Sequence, residues 1–411
     1  MQHTYPTGEK TKQYIDTEWT YGAHNYHPLP VVLERGEGAF VWDVEGKRFF
    51  DFLSGYSAVN QGHCHPKIVD ALVKQAHLLT LTSRAFHSDK LADYTKYITA
   101  YFGYERVLPM NTGVEAVETA LKLARKWGYN VKGVPAGEAK IITVEGNFHG
   151  RTINVISFST DESARKDFGP FVSGYVTVPY NDLHALEAAL ADPTVVGFLV
   201  EPIQGEAGVY VPDEGYLAAA FSLCKAHQVL FIADEIQTGL SRTGRMLACD
   251  YENVKPDVLI LGKALSGGLL PISAVLSSEE IMLTIQPGEH GSTYGGNPLA
   301  CAVAIAALEV LQEENLAAHA AELGDYFRSE LKQFAHPAVK EVRGKGLLNA
   351  IVIQHDDPDA AYTLCLTLLK HGLLAKPTHG DKIRFAPPLV ISKQQLGEAI
   401  AIIKNALSSL D

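Results

Sequence analysis

Residues 229–235, VLFIADE, and residues 257–263, DVLILGK, are two short apolar runs that end on charged side chains. Their apolar parts do not alternate with polar residues, which is typical of parallel strands covered by helices on both faces. Asp234 stands near the end of the first run, and Lys263 closes the second. Open α/β sheets bind their ligands at the carboxyl ends of the strands. The two runs therefore predict an α/β sheet with a carboxylate and an amine at one edge.

An amine and a carboxylate at one sheet edge fit the chemistry of pyridoxal 5'-phosphate. In that chemistry a lysine holds the cofactor as a Schiff base, and an acid keeps the ring nitrogen protonated. A plainer interpretation is also open, in which Lys263 extends from a strand end to solvent and Asp234 caps a turn. These two residues alone favour the plainer interpretation, so other parts of the chain have to decide.

Longer segments carry a resemblance to a known family. DEIQTGLSRTGR (residues 234–245) and LGKALSGG (residues 261–268) resemble the signature of the subgroup III, or ω-amino, aminotransferases. The resemblance covers nearly the whole chain. Five further segments are similar to the ornithine aminotransferases within that family: NTGVEA, GNFHGRT, VEPIQGEAGV, GSTYGGNPLA and RFAPPLV. The resemblance implies a type I pyridoxal-phosphate transferase fold, in which helices flank a mostly parallel central sheet and a smaller α+β domain is attached.

Composition narrows the class of protein. A chain of 411 residues with 46% hydrophobic residues can bury a large core and form two or three domains. Its net charge of −12, without a basic cluster, argues against nucleic-acid binding. Its five cysteines lie far apart without a CxxC pair, which indicates reduced thiols and neither a disulfide framework nor a cysteine zinc site.

The sequence also predicts where the protein resides. It contains no apolar run of about 18 residues that could span a bilayer. Residues 1–20 lack the apolar stretch of a secretory signal and carry Glu9, Asp16 and Glu18 instead of arginines. We therefore expect a cytoplasmic protein, with the mitochondrial matrix as the alternative if this sequence is a processed form.

The order of the predicted elements indicates a discontinuous smaller domain. Helices and strands alternate through the middle of the chain, as in a parallel α/β sheet, whereas strands dominate after the first helix and return near the C-terminus. We expect residues 1–55 to begin the small domain, residues 56–315 to form the large cofactor-binding domain, and residues 316–411 to complete the small domain.

A phosphate site is predicted where NTG, residues 111–113, lies between a strand and a helix. The free N–H groups and the dipole of a helix start attract anions, although an ordinary helix start capped by Thr112 explains the same residues. The resemblance assigns the phosphate to Gly113 and Val114, and Thr112 adds a hydroxyl. It also implies that a neighbouring subunit completes the site with two residues, which requires a homodimer or a larger even oligomer: Ser292 and Thr293.

The resemblance places four more side chains around the cofactor ring. Phe148 stacks on the ring, Gln237 bonds its phenolic oxygen, and Glu201 lies beside Asp234, whose carboxylate faces the ring nitrogen. A core phenylalanine and a solvated glutamate are the plainer alternatives. At position 149 the ornithine enzymes most often have tryptophan, whereas this chain has His149. The resemblance therefore does not define the pocket wall at this position.

Five residues resemble substrate-binding positions of the family: Tyr26, Tyr56, Arg151, Glu206 and Arg384. Arg384 corresponds to the arginine that binds a substrate α-carboxylate, and Arg151 to the one that holds a distal carboxylate. The phenols can bond the distal end of ornithine without adding charge. Tyr56 favours ornithine over 4-aminobutyrate, although tyrosines also pack at ordinary subunit interfaces.

The resemblance implies transfer of the δ-amino group of L-ornithine to 2-oxoglutarate by a ping-pong mechanism. An enzyme of the same fold that acts on N-acetylornithine or 4-aminobutyrate is the nearest alternative. A cofactor-binding regulatory protein without turnover is a different class, but Lys263, Asp234 and Arg384 are all retained. The pair His63 and His65 is a weak metal motif, and we expect a structural role for both and no metal site.

Overall fold

The computed structural model describes residues 8–410 as an α/β protein. Its α-helices are α1 Glu9–Tyr21, α2 Ser54–Ser57, α3 Pro66–Ala76, α4 Asp89–Phe102, α5 Gly113–Trp127, α6 Ile153–Ile156, α7 Glu162–Arg165, α8 Leu183–Leu190, α9 Tyr216–Ala226, α10 Glu279–Met282, α11 Pro298–Glu313, α12 Leu316–Phe334, α13 Ala360–Lys370 and α14 Lys393–Leu407. A π-helical turn, Gly128–Lys132, and two 3-10 helices, Ala248–Glu252 and Lys263–Ser266, lie between them.

The strands belong to three sheets. They are β1 Leu33–Glu37, β2 Phe40–Asp43, β3 Arg48–Asp51, β4 Arg106–Met110, β5 Lys140–Val144, β6 Tyr175–Val178, β7 Val195–Val200, β8 Leu230–Asp234, β9 Val258–Leu261, β10 Ser273–Ser277, β11 Val339–Lys345, β12 Leu348–Ile353, β13 Leu373–Leu374, β14 Lys376–Thr378 and β15 Lys382–Phe385. The central sheet has the order β4-β10-β9-β8-β7-β5-β6.

The central sheet is mostly parallel, as the sequence predicts. Strands β6, β5, β7, β8 and β9 run parallel to one another, and β10 is antiparallel to both of its neighbours. Strands β8 and β9 are adjacent, with Asp234 opposite Ile260. The carboxylate at the end of β8 and the amine that follows β9 therefore reach the same edge of the sheet. This arrangement confirms the predicted fold class.

Both faces of β8 are buried, which explains its run of apolar residues. Phe231 and Ala233 pack with helix α9 in one apolar cluster. Ile232, which points to the opposite face, packs in another cluster with helix α5. A strand covered by helices on both faces has no side for polar residues, so the alternation disappears.

Lys263 lies outside the strand in which the sequence places it. Strand β9 ends at Leu261, and Lys263 begins a 3-10 helix with a left-handed backbone, φ +45°. A non-glycine residue rarely adopts this conformation, and surrounding structure must stabilise it. Such strain concentrates at functional sites, and here it turns the chain sharply just after the sheet edge.

The two terminal parts of the chain meet through β-strand pairing. Strand β13 pairs in parallel with β3, which joins the N-terminal sheet β1-β2-β3-β13 to the C-terminal part. The third sheet, β11-β12-β15-β14, carries Arg384 on β15 between Ala350 and Lys376. This pairing supports a small domain built from both termini. The boundaries at residues 55 and 315 stay a prediction.

Arg242 is fully buried and bonds three separate parts of the chain. Its guanidinium donates to Asn60 Oδ1 from Nη2 at 2.6 Å and from Nε at 3.1 Å, and Nη1 donates to the carbonyl oxygens of Leu347 at 3.0 Å and Pro387 at 2.7 Å. Burial lowers its pKa to about 9, and the negative charge of Asp51 offsets this only in part. Arg242, in the segment after β8, thus links the segment just after Arg384 to those around Asn60 and Leu347.

Replacing Arg242 by methionine should destabilise the protein by roughly 3 kcal/mol or more. Methionine fills similar space, but Asn60 Oδ1 and two carbonyl oxygens lose their donors. Each buried acceptor without a hydrogen bond lowers the free energy of unfolding by about 1–3 kcal/mol. Denaturant unfolding followed by circular dichroism measures the loss. Arg245→Met, at an exposed position three residues away, is the matched control. Equal stability of the two variants would contradict the proposed linkage.

Candidate active site

The carboxylate at the end of β8 is held by a histidine. His149 Nδ1 and Asp234 Oδ2 lie 2.6 Å apart, and both side chains are buried. Burial opposes a positive imidazole, but the hydrogen bond to Asp234 and its charge outweigh burial and raise the pKa of His149. His149 therefore donates from Nδ1 and holds the Asp234 carboxylate in one orientation. The sequence marks His149 only as a departure from tryptophan, and its position within GNFHGRT was the available signal.

Glu201 anchors the loop that carries Phe148. The Phe148 N–H donates to Glu201 Oε1 at 2.8 Å. Burial raises the pKa of Glu201 to about 7; His149 opposes this shift and Asp234 adds to it. Glu201, Asp234 and Lys263 are thus close together, since the charge of Asp234 contributes to the pKa of both Glu201 and Lys263.

The start of helix α5 is both capped and able to bind an anion. Glu115 accepts from the N–H groups of Asn111 at 2.9 Å and Thr112 at 2.8 Å, and Thr112 Oγ1 accepts from the Glu115 N–H at 3.3 Å. The N–H groups of Gly113 and Val114 have no acceptor among residues 8–410. The capping interpretation of Thr112 is therefore correct, and two amides still remain for a phosphate.

Ser292 lies at this helix start in the same chain. Asn111 Nδ2 donates to Ser292 Oγ at 2.7 Å, while Thr293 is exposed. A second subunit is needed to test whether the pair also serves a neighbouring site, so that assignment stays a prediction.

Ile236 is an apolar residue beside the sheet edge that the sequence analysis missed. Ile236 fills the space beside two glycines: a Cβ atom on Gly113 would lie 3.1 Å from Ile236 Cδ1, and one on Gly262 would lie 3.3 Å from Ile236 Cγ2. On the polar side, Gln237 Oε1 is buried without a hydrogen-bond partner among residues 8–410. Buried polar atoms are rarely left unpaired, so this side of the pocket suits a polar ligand.

Three of the predicted substrate residues lie together, with Arg384 buried and Glu206 and Tyr56 partly exposed. Arg384 Nη1 and Glu206 Oε2 lie 2.9 Å apart, and the Arg384 guanidinium lies 5.1 Å from the ring centre of Tyr56. Burial raises the pKa of the Tyr56 phenol, and the charge of Glu206 raises it further, while Arg384 opposes both effects. The charges of Tyr26 and Arg151 contribute smaller shifts to the pKa of this phenol. A shared substrate pocket for all five residues stays a prediction.

Arg151 is positioned by a close contact between its loop and helix α5. Gly150 has φ +121°, and a Cβ atom there would lie 2.4 Å from Val114 Cγ2, so only glycine fits. The Arg151 guanidinium lies 5.7 Å from the ring centre of Phe148. Arg151 and Glu206 line a cavity of about 660 Å³, large enough for an amino acid.

The remaining candidates have structural partners. His63 bonds Asp51 at 2.7 Å and His65 bonds Glu314 at 2.9 Å, each through Nε2. Residues 8–410 contain no group of three or more side chains arranged to hold a metal ion. Over the same residues, no helix is both long and apolar enough to cross a bilayer.

Known proteins are similar to this chain in both sequence and fold. The family model for aminotransferase class-III matches residues 21–407. "Ornithine aminotransferase, mitochondrial" of Rattus norvegicus is 61% identical over 403 residues, covering 98% of this chain and 92% of the rat protein.

Solved structures give the same result. An ornithine aminotransferase of Toxoplasma gondii, described with partial occupancy of PLP at its active site, is 48% identical with a TM-score of 0.95, covering 97% of this chain and 94% of that one. An acetylornithine aminotransferase of Elizabethkingia anophelis is 56% identical with a TM-score of 0.89, covering 97% and 99%. This chain belongs to the aminotransferase class-III family.

Proposed function

We propose that the chain transfers the δ-amino group of L-ornithine to 2-oxoglutarate, giving L-glutamate 5-semialdehyde and L-glutamate by a ping-pong mechanism with pyridoxal 5'-phosphate. The observation that carries this proposal is the ion pair between Arg384 and Glu206 beside Tyr56. A pocket with its α-carboxylate site masked suits a donor that reacts through an amino group far from its carboxylate. The ornithine aminotransferases among its relatives support the same conclusion.

The residues present fit the cofactor. The free N–H groups of Gly113 and Val114 would hold its phosphate, Phe148 and Ile236 would cover its ring, and Asp234, oriented by His149, would face the ring nitrogen. When bound, pyridoxal 5'-phosphate supplies an electron sink for the pair released as a C–H bond beside the amino group breaks. Asp234 serves that chemistry by favouring a protonated ring nitrogen through a charge-assisted hydrogen bond.

Lys263 would hold the cofactor and, once displaced, move the proton. Burial lowers the pKa of its amine to about 8; Glu206 opposes this shift, Arg384 adds to it, and Asp234 and Glu201 oppose it. An amine with a pKa near the working pH is neutral often enough to act as a nucleophile and as a base. The strained turn at Lys263 keeps this amine at the sheet edge next to Asp234.

In the cofactor-free protein, Lys263 should react with acetic anhydride with a midpoint near pH 8. Because its pKa is lowered, the neutral, reactive amine of Lys263 predominates above about pH 8 and is lost below it. An ordinary lysine has a pKa of about 10.4. Competitive labelling across pH 6–11 with mass spectrometry of the Lys263 peptide gives the midpoint. Glu206→Gln should lower the midpoint further, since Glu206 favours the charged amine. A wild-type midpoint above 10 would refute the shift.

One pocket must accept two substrates in opposite orientations. Glutamate reacts through its α-amino group, so its α-carboxylate lies near the cofactor and can bind Arg384. Ornithine reacts through its δ-amino group and brings a cation there instead. An unpaired buried guanidinium is costly and repels that cation, and Glu206 removes both problems by pairing with Arg384 at 2.9 Å. Glu206 then moves away when an α-carboxylate arrives.

Glu206→Gln should weaken the ornithine half-reaction more than the glutamate half-reaction, because Arg384 is left unmasked in both. Arg384→Ala should show the opposite bias, since glutamate loses the partner of its α-carboxylate. Losing a charge-assisted hydrogen bond is worth about 1.5–3 kcal/mol, or roughly tenfold to a hundredfold in kcat/KM. Single-turnover absorbance measures each half-reaction separately. Equal losses in both half-reactions would show that Glu206 is no switch.

Use of N-acetylornithine is the second candidate, because the Elizabethkingia anophelis relative is an acetylornithine aminotransferase. The purified protein should be assayed with L-ornithine, N-acetylornithine and 4-aminobutyrate against 2-oxoglutarate, with the products identified. We expect L-ornithine to give the highest kcat/KM. A preference of tenfold or more for either other donor would overturn the proposed substrate.

Assembly and location are part of the proposal. We propose a homodimer or larger even oligomer, because Ser292 lies beside Asn111 in a partly exposed loop that a second subunit can cover. We propose a cytoplasmic location, with the mitochondrial matrix as the alternative, because residues 1–20 carry Glu9, Asp16 and Glu18 and no arginine. The rat relative is named mitochondrial, so fractionation of cells should compare the cytosol with the mitochondrial matrix.

A further inference from the structure

The substrate cavity contains a carboxylate that has no role in the proposed reaction. Asp161 lines the same cavity as Arg151 and Glu206. One of its oxygens, Oδ1, accepts from the Ser163 N–H at 2.9 Å and from the Ser163 hydroxyl at 2.7 Å. The other oxygen, Oδ2, has no hydrogen-bond donor within residues 8–410. The carboxylate is therefore fixed in place and half of its acceptor capacity is open.

Asp161 is charged under working conditions. Burial opposes its ionisation, but the two hydrogen bonds from Ser163 and the positive charges of His379 and Arg151 outweigh burial and lower its pKa. Asp161 thus lies close enough to Arg151 for their charges to interact. The two residues together present an anion and a cation to one end of the cavity.

An amino acid that reacts through its δ-amino group leaves its α-carboxylate and α-ammonium together at the far end of the pocket. Arg151 suits the carboxylate, and a carboxylate of the protein is needed for the ammonium. Three carboxylates line the cavity in the described part of the chain: Asp161, Glu162 and Glu206. Glu206 is engaged with Arg384, and Glu162 is an exposed residue of the short helix α7. Asp161 lines the cavity with Arg151, and the charge of Arg151 acts on it.

We propose that Asp161 binds the α-ammonium group of the amino donor and so makes the pocket specific for an ω-amino donor that is also an α-amino acid. This inference rests on the proposed use of L-ornithine and names the residue that recognises its distal end. Asp161 also disfavours a second carboxylate at this end. It therefore weakens binding of glutamate and 2-oxoglutarate, which bring a γ-carboxylate and no ammonium to Arg151.

The test compares L-ornithine with 5-aminopentanoate, which is ornithine without its α-amino group. Asp161→Asn keeps an oxygen to accept from Ser163 and removes only the charge, and asparagine caps helices as well as aspartate. The ratio of kcat/KM for ornithine to that for 5-aminopentanoate should fall roughly tenfold or more in this variant, mainly through KM for ornithine. KM for 2-oxoglutarate should fall. Single-turnover absorbance confirms that the change lies in the amino-donor half-reaction.

Two control variants separate direct contact from other causes. Asp182→Asn makes the same change at another helix cap, where Asp182 accepts from the Ala185 N–H, and should leave the ratio unchanged. Glu162→Gln removes a neighbouring charge from the same loop. An equal fall in the Glu162 variant, or an unchanged ratio in Asp161→Asn, would overturn the contact with the ammonium while leaving ornithine transamination intact. A wild-type enzyme that does not use ornithine would reject the proposed function and this inference together.

Discussion

The site depends on the parallel pairing of two neighbouring strands. Because β8 and β9 run in the same direction with Asp234 opposite Ile260, a carboxylate and an amine reach the same edge of the sheet. Both strands are buried on both faces, so their positions are set by the packing of the whole large sheet. Helix packing thus fixes the ends of the two strands from which Asp234 and Lys263 reach the site.

Paired charges recur throughout the pocket. His149 holds Asp234, Glu206 pairs with Arg384, and Asp161 lies near Arg151. Each charge would be costly in a partly dry cavity without its partner. The pairs also serve selectivity, because a substrate that replaces one partner has to supply an equivalent charge. When an enzyme binds two amino acids in opposite orientations, its specificity depends on which of these charged partners each substrate can displace.

The third sheet takes part in the site through long-range contacts. Arg384 comes from β15 of the third sheet, and Arg242 bonds the carbonyl of Pro387 three residues beyond it. The same guanidinium bonds Asn60, which lies in the segment after the N-terminal strands. Arg242 thereby ties the α-carboxylate site to the segment that follows β8, although the two lie in distant parts of the chain.

The sequence by itself determined the class of fold and the edge of the sheet that carries the chemistry. Apolar runs and the positions of Asp234 and Lys263 are local patterns, and strands β8 and β9 form within the two runs that predict them. The tertiary structure alone decided which residues are partners. His149 and Asp234 are 85 residues apart in sequence, and Ile236 lies against Gly113 only in the folded chain. It also decided that Lys263 leaves the strand in a left-handed turn. Local propensity cannot encode such contacts, because they form only when packing brings remote segments together and compensates the strain and the buried charge.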